Sequence, residues 1–282
     1  MKDRPKLGRG LRDVSPFFLS EASLPEQQHG EIPFPAPPER TVCVCHPSSV
    51  LIQSFFTANL ALELARHRHG VQVWDYAMPD EHRVTALMHS LLEGQGPEQD
   101  GHARIMLYGL PRITIRDGRA EGCFTGGGDA DADPGAVDGE AGNCILVNAR
   151  PHPDFILQSS PADDSIILTG TGELSLLQCY AHIKVIRGKT PGARIWIAFD
   201  GQREVRDDRS VFERLSGFAG QRLDCQVGFL GTLVHDESVE RSFREEKPLV
   251  LFAGQSAAKE ALSGICTRFI EGLHLPGQGE GS

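Results

Sequence analysis

One stretch limits what this chain can fold into more than any other. Residues 41–65 read as a short apolar strand, a tight connection and a long helix, and a second apolar strand follows at once. The first strand is Thr41–Cys45, where Val42, Val44 and two cysteines make a run with few polar groups, as in strands covered on both faces. Ser54 is a good N-cap residue, so the helix is expected to begin there and to run through Phe56, Leu60, Leu62 and Leu64 to a stop at Gly70. The second strand is Val71–Trp74, ending in Asp75. Strand, helix and strand at this spacing predict a βαβ unit, hence a parallel sheet with a right-handed crossover.

The connection in this unit carries the functional question. Anion-binding loops between strand and helix need inward-facing N–H groups and room for the ligand. Here the connection holds Pro47, which has no N–H, and Val50 and Ile52, whose branched side chains resist unusual backbone angles.

The residues that follow resemble a known family. Thr57-Ala58-Asn59-Leu60-Ala61-Leu62 is similar to the helix that follows the KGGxGK[ST] loop of MinD/ParA proteins. On that register Ser54 falls on the Mg-binding hydroxyl, Gln53 on the phosphate-binding lysine and Ser48 on the signature lysine that members reach across their dimer. Pro47, Ser49, Val50 and Ile52 fall on glycines. After the second strand the family has DxD, whose second aspartate positions water; Asp75 is present, but Ala77 stands at the second place. A later strand, Cys144–Val147, ends in Asn148 where the family has the aspartate of its DTGAG segment. The resemblance continues through Ala162–Thr169, Glu173–Lys184, Val211–Leu215, Leu230–Val239 and Lys247–Leu251, and is nearest to the flagellar-placement branch, FlhG or FleN. It implies a P-loop NTPase, MinD-like fold: α/β, with a mostly parallel sheet flanked by helices in a Rossmann-like three-layer arrangement.

The same resemblance implies a degenerate nucleotide pocket built from Ser48, Gln53, Ser54, Asp75 and Asn148. Gln53 cannot neutralise a triphosphate, and a charge-assisted hydrogen bond is roughly twice as strong as a neutral one. Asn148 cannot bind Mg as a carboxylate does. With these groups replaced, the expectation is a pseudo-ATPase with no catalytic residues, no metal site, and ATP/Mg binding that is absent or weak. The rival expectation is a divergent ATPase with slow turnover, resting on Ser54 and Asp75.

Composition narrows the partners. A net charge of −10 and a pI near 5.6 argue against nucleic acid and anionic membrane as partners, and so against a DNA-binding role. No stretch approaches the roughly 20 apolar residues of a membrane span. Seven cysteines without framework spacing fit a reducing cytoplasm. Cys43 and Cys45 share a strand face and are read as buried small hydrophobes. A metal site from Cys45, His46 and His152 is the sharper but less favoured alternative.

Residues 1–39 are expected to form a flexible tail with a short amphipathic segment at 6–20. Its apolar residues Leu7, Leu11, Val14, Phe17 and Phe18 are candidates for docking a protein partner. The α/β domain is expected over residues 40–275, with a helix near 81–92, a strand pair within 105–115, and a disordered, Gly- and Asp-rich loop at 117–142. Asp129, Asp131, Asp133 and Glu140 fall on calcium-loop offsets, but Pro134 occupies the turn that needs glycine. A final helix at 256–273 is expected to bury one stripe, and residues 276–282 to be disordered without a basic membrane helix. The partner is expected to be a protein, either an active MinD/ParA-type ATPase or a component of a polar organelle. The chain itself is expected to be a monomer or a nucleotide-independent dimer.

Overall fold

The computed structural model describes residues 40–67, 69–76, 84–88, 91, 103–107, 110–117, 143–149, 162–201 and 208–273. Strand β1 is Arg40–Cys45, followed by helix α1 at Val50–Arg66 and strand β2 at Gly70–Asp75. A short helix α2, Val84–Leu87, precedes the hairpin strands β3, Ala103–Leu107, and β4, Leu110–Asp117. Then come β5, Asn143–Asn148; β6, Asp164–Thr169; α3, Glu173–Lys189; β7, Arg194–Gly201; α4, Asp208–Leu223; β8, Val227–Val234; α5, Glu237–Arg244; and α6, Ala257–Leu273.

The eight strands form one sheet in the order β3-β4-β2-β5-β1-β6-β7-β8. Seven are parallel, and β3 pairs antiparallel with β4 at one edge. The expected mostly parallel α/β sheet is what the chain forms, and the strand pair within 105–115 is the β3–β4 hairpin. β1 lies between β5 and β6; the crossover from β1 to β2 runs toward one edge of the sheet and that from β6 to β7 toward the other. In open α/β sheets such a switch point opens a crevice outside the strand C-termini.

The parallel strands are buried on both faces. Val42 and Val44 point to the side packed by Phe55, Phe56, Leu262 and Phe269 from α1 and α6. Cys45 points to the opposite side with Ile183 of α3 and Phe212 of α4. Burying one such phenylalanine contributes on the order of 1.5–3 kcal/mol. Cys43 and Cys45 are enclosed as expected for small hydrophobes; burial pushes the Cys43 thiol up to about 12 and Cys45 well above its usual range. The predicted stripe on the last helix is also real: Ala258, Leu262, Ile265, Phe269 and Leu273 are all buried.

Two boundaries differ from expectation. Helix α1 does not start at Ser54; its N-cap is Ser49, whose hydroxyl accepts from the Ile52 amide at 3.2 Å. The helix also ends at Arg66, capped by His67, and Gly70 opens β2 instead of closing α1. Val50, Leu51 and Ile52 are apolar, and packing draws them into a helix despite the modest propensity of the two β-branched residues.

Trp196 of β7 shows how closely α6 approaches the sheet. A Cβ placed on Gly272 of α6 would meet Trp196 Cη2 at 2.7 Å and Cζ2 at 2.9 Å. The ring's Nε1 is tied to Asp164 at 2.8 Å, so it cannot easily yield. Gly272→Ala is therefore expected to cost about 1–3 kcal/mol in chemical denaturation, as overpacked cores do. An unchanged midpoint would show that the ring is free to move.

The amphipathic tail with Leu7, Leu11, Val14, Phe17 and Phe18 lies outside the described residues, as do the 118–142 segment, Ala77, His152 and residues 276–282. Among the described residues no helix is long and apolar enough to cross a membrane.

Candidate functional site

The crevice sits at the C-terminal ends of β1, β2 and β5. Register sets its members side by side: Asn148 of β5 pairs with Val44 of β1 on one flank and with Asp75 of β2 on the other. Helix α1 rises from the four-residue connection 46–49 and aims Gln53, Ser54 and Thr57 at the same point. All five of these polar residues on β2, β5 and α1 are buried.

They form one hydrogen-bonded network whose polarity is dictated at both ends. The His46 amide can only donate, and it donates to Gln53 Oε1 at 2.8 Å. The Ala149 carbonyl can only accept, and it accepts from Gln53 Nε2. These two contacts orient the Gln53 amide without ambiguity. Gln53 Nε2 also donates to Asn148 Oδ1 at 2.8 Å. Asn148 in turn donates from Nδ2 to Asp75 Oδ1 at 2.9 Å and to Ser54 Oγ at 3.0 Å. The single Thr57 hydroxyl hydrogen is shared between the Gln53 carbonyl at 2.9 Å and Asn148 Oδ1 at 3.3 Å. Asp75 uses its other oxygen, Oδ2, to accept from the Val84 amide at 2.9 Å, at the start of α2.

The connection itself is equally occupied. The Ser48 and Ser49 amides donate to His46 Nδ1 at 3.1 and 3.0 Å. The Gln53 amide donates to the Ser49 carbonyl at 3.2 Å, and Ile52 to the Ser49 hydroxyl. Amides that in a phosphate cradle would face an anion here end on acceptors of the chain.

Of the expected pocket residues, Gln53, Ser54, Asp75 and Asn148 meet in the network. Ser48 is exposed, and it contributes its backbone to the loop. Sequence reasoning placed His46 at this edge only as a metal ligand, took Thr57 as part of a helix match, and missed Asp200 and His235. The last two are polar residues closing apolar strands, β7 and β8, and that is the signal by which parallel-strand termini can be found. Asp200 lies 3.5 Å from His46 Nε2 and 2.5 Å from His235 Nε2.

The strand order, the helices on both faces and the crevice outside β1 define a P-loop NTPase fold of the MinD/ParA type. Among solved structures, MinD from Aquifex aeolicus superposes with a TM-score of 0.56 at 15% identity, covering 85% of this chain and 99% of that one. A MinC:MinD complex from the same organism gives 0.57 at 14%, covering 84% and 98%. A plasmid partition protein from Borrelia burgdorferi B31 bound to AMPPNP gives 0.59 at 11%, covering 83% and 100%. No family model and no curated protein sequence matches the chain.

Proposed function

We propose that this chain is a MinD/ParA-fold protein that has ceased to use nucleotide and acts through protein contacts. Its task on this reading is to position or count a cellular machine such as a flagellum or pilus, as in the flagellar-placement branch, or to modulate an active relative. One observation carries the reading. Gln53, Ser54, Asp75 and Asn148, at the places where phosphate and Mg would be gripped, satisfy one another instead. A buried polar group bonded in this way is costly to release, because breaking one partner strands the other. Helix α1 adds to the argument, since from Val50 onward its backbone is helical over residues aligned with the loop glycines.

A protein partner is supported by the solved MinC:MinD complex, in which a protein of this fold is assembled with another chain. The second reading, a slow ATPase, keeps support from the Ser54 hydroxyl and the Asp75 carboxylate, which remain within one network. Isothermal titration of the full chain with MgATP separates the two. No heat of binding is expected with millimolar nucleotide, about −4 kcal/mol or weaker. Micromolar binding that is abolished in Ser54→Ala would overturn the proposal in favour of the ATPase.

A further inference from the structure

The His46 ring that anchors the β1–α1 connection is also one end of a chain of titratable groups that the Gln53–Asn148 network does not use. His46 is 4% exposed. Its Nδ1 accepts from the Ser48 and Ser49 amides, so the ring hydrogen sits on Nε2. That nitrogen faces Asp200 Oδ2 at 3.5 Å. The other carboxylate oxygen, Oδ1, lies 2.5 Å from Nε2 of His235, just after β8. The His235 contact is close, and it is an ion pair when that ring is protonated. One carboxylate is thus divided between imidazoles from two loops, and it leans toward His235.

Two imidazoles and a carboxylate are also a donor set for transition metals. Here Nδ1 of His46 already accepts two amide hydrogens, so a metal on Nε2 would demand an imidazolate. Among the described residues no group of three His, Cys, Asp or Glu is arranged to hold a metal ion. The geometry favours proton exchange over coordination.

We propose that His235, Asp200 and His46 form a proton-responsive latch that sets how the β1–α1 connection is held. With His235 protonated, Asp200 is drawn to it as an ion pair and holds His46 loosely. When His235 gives up a proton, the charge–charge attraction between imidazolium and carboxylate is lost. The carboxylate is then released toward His46 Nε2–H. Ser48 and Ser49 follow, because their amides are fixed to the opposite side of the same ring.

The groups acting on His235 are Asp200 and Asp236, and those acting on Asp200 are His235 and His46. Burial pushes the Asp200 carboxyl up, but the bonds and charges of the two imidazoles outweigh it and bring it down to about 2. The bond to Asp200 raises His235 above its ordinary 6.5 against the opposing effect of burial, with help from the charges of Asp200 and Asp236. Because His235 is raised, its stabilising contribution is complete below 6.5 and is lost as pH climbs through the higher folded-state value. Because Asp200 is lowered, its contribution is complete above 3.8 and is lost as pH falls toward about 2. The switch therefore lies on the alkaline side, and it operates whether or not the chain binds nucleotide.

The test is an NMR titration of the isotope-labelled full chain between about pH 5 and pH 9, where histidines change charge. The Ser48 and Ser49 amide shifts are expected to move with the midpoint of the His235 ring. That movement is expected to vanish in His235→Gln. Asp200→Asn is expected to lower the protection of the two amides against exchange about tenfold, as a local opening would. Loop amides that stay flat while the wild-type His235 ring titrates overturn the latch, and this result needs no variant. So does an unchanged loop midpoint in His235→Gln, or unchanged protection in Asp200→Asn.

Discussion

Asn148→Asp is expected to destabilise the fold by about 3–5 kcal/mol at pH 7, the range for uncompensated buried charge. The substitution is nearly isosteric, so the effect is electrostatic. Asn148 is fully buried and donates to Asp75 Oδ1 at 2.9 Å, and an introduced carboxylate would set one acceptor against another at that distance. Two carboxyls so close cannot both ionise without cost, and one takes up a proton with a raised pKa. The penalty should therefore be largest at neutral pH and shrink as pH falls toward about 4, the unfolded-state value. Urea denaturation at several pH values measures this. A loss below about 1 kcal/mol at pH 7, or one that does not ease with acid, would show that the Asn148 donor is not what satisfies Asp75.

Gln53→Lys, which introduces a residue type found in active phosphate loops, should be comparably damaging. The His46 amide would lose its acceptor, and an ammonium would be buried where Gln53 has no solvent exposure. A loss of about 3–5 kcal/mol is expected, with no gain of MgATP binding, because the Ser48 and Ser49 amides keep their acceptor on His46 Nδ1. The double variant with Asn148→Asp is the sharper measurement. A lysine and a carboxylate at these positions compensate each other, so the double loss should fall short of the sum by about 1–3 kcal/mol. Additivity within about 0.5 kcal/mol would mean that the two sites are energetically separate.

The frame of the molecule was legible because its signals are local. Val42, Val44, Val71 and Val73 form short apolar runs around a long apolar helix, and that pattern has few solutions other than parallel strands with a crossover. Asp75 and Asn148 were legible as candidates for one strand-end cluster because each closes such a run, and they meet there. The start of α1 was not. Ser49 and Ser54 are equally good caps, and the choice was made by burial of Ile52 and Phe55 against the sheet, which local pattern does not carry. Gly70 was ambiguous in the same way, since glycine both ends helices and opens strands. The link from His46 to Asp200 and His235 depends on β6, β7 and β8 being laid down in order beside β1, so it appears only once the sheet is assembled.

The mutual satisfaction of Gln53, Asn148 and Asp75 has a historical corollary. If Gln53 is exchanged first, a cation is stranded; if Asn148 is exchanged first, an anion is crowded. Either single step toward a charged constellation descends into a less stable intermediate, and a second step recovers only part of the combined loss. Drift alone would rarely cross such a valley, so a lineage carrying this arrangement is expected to keep it.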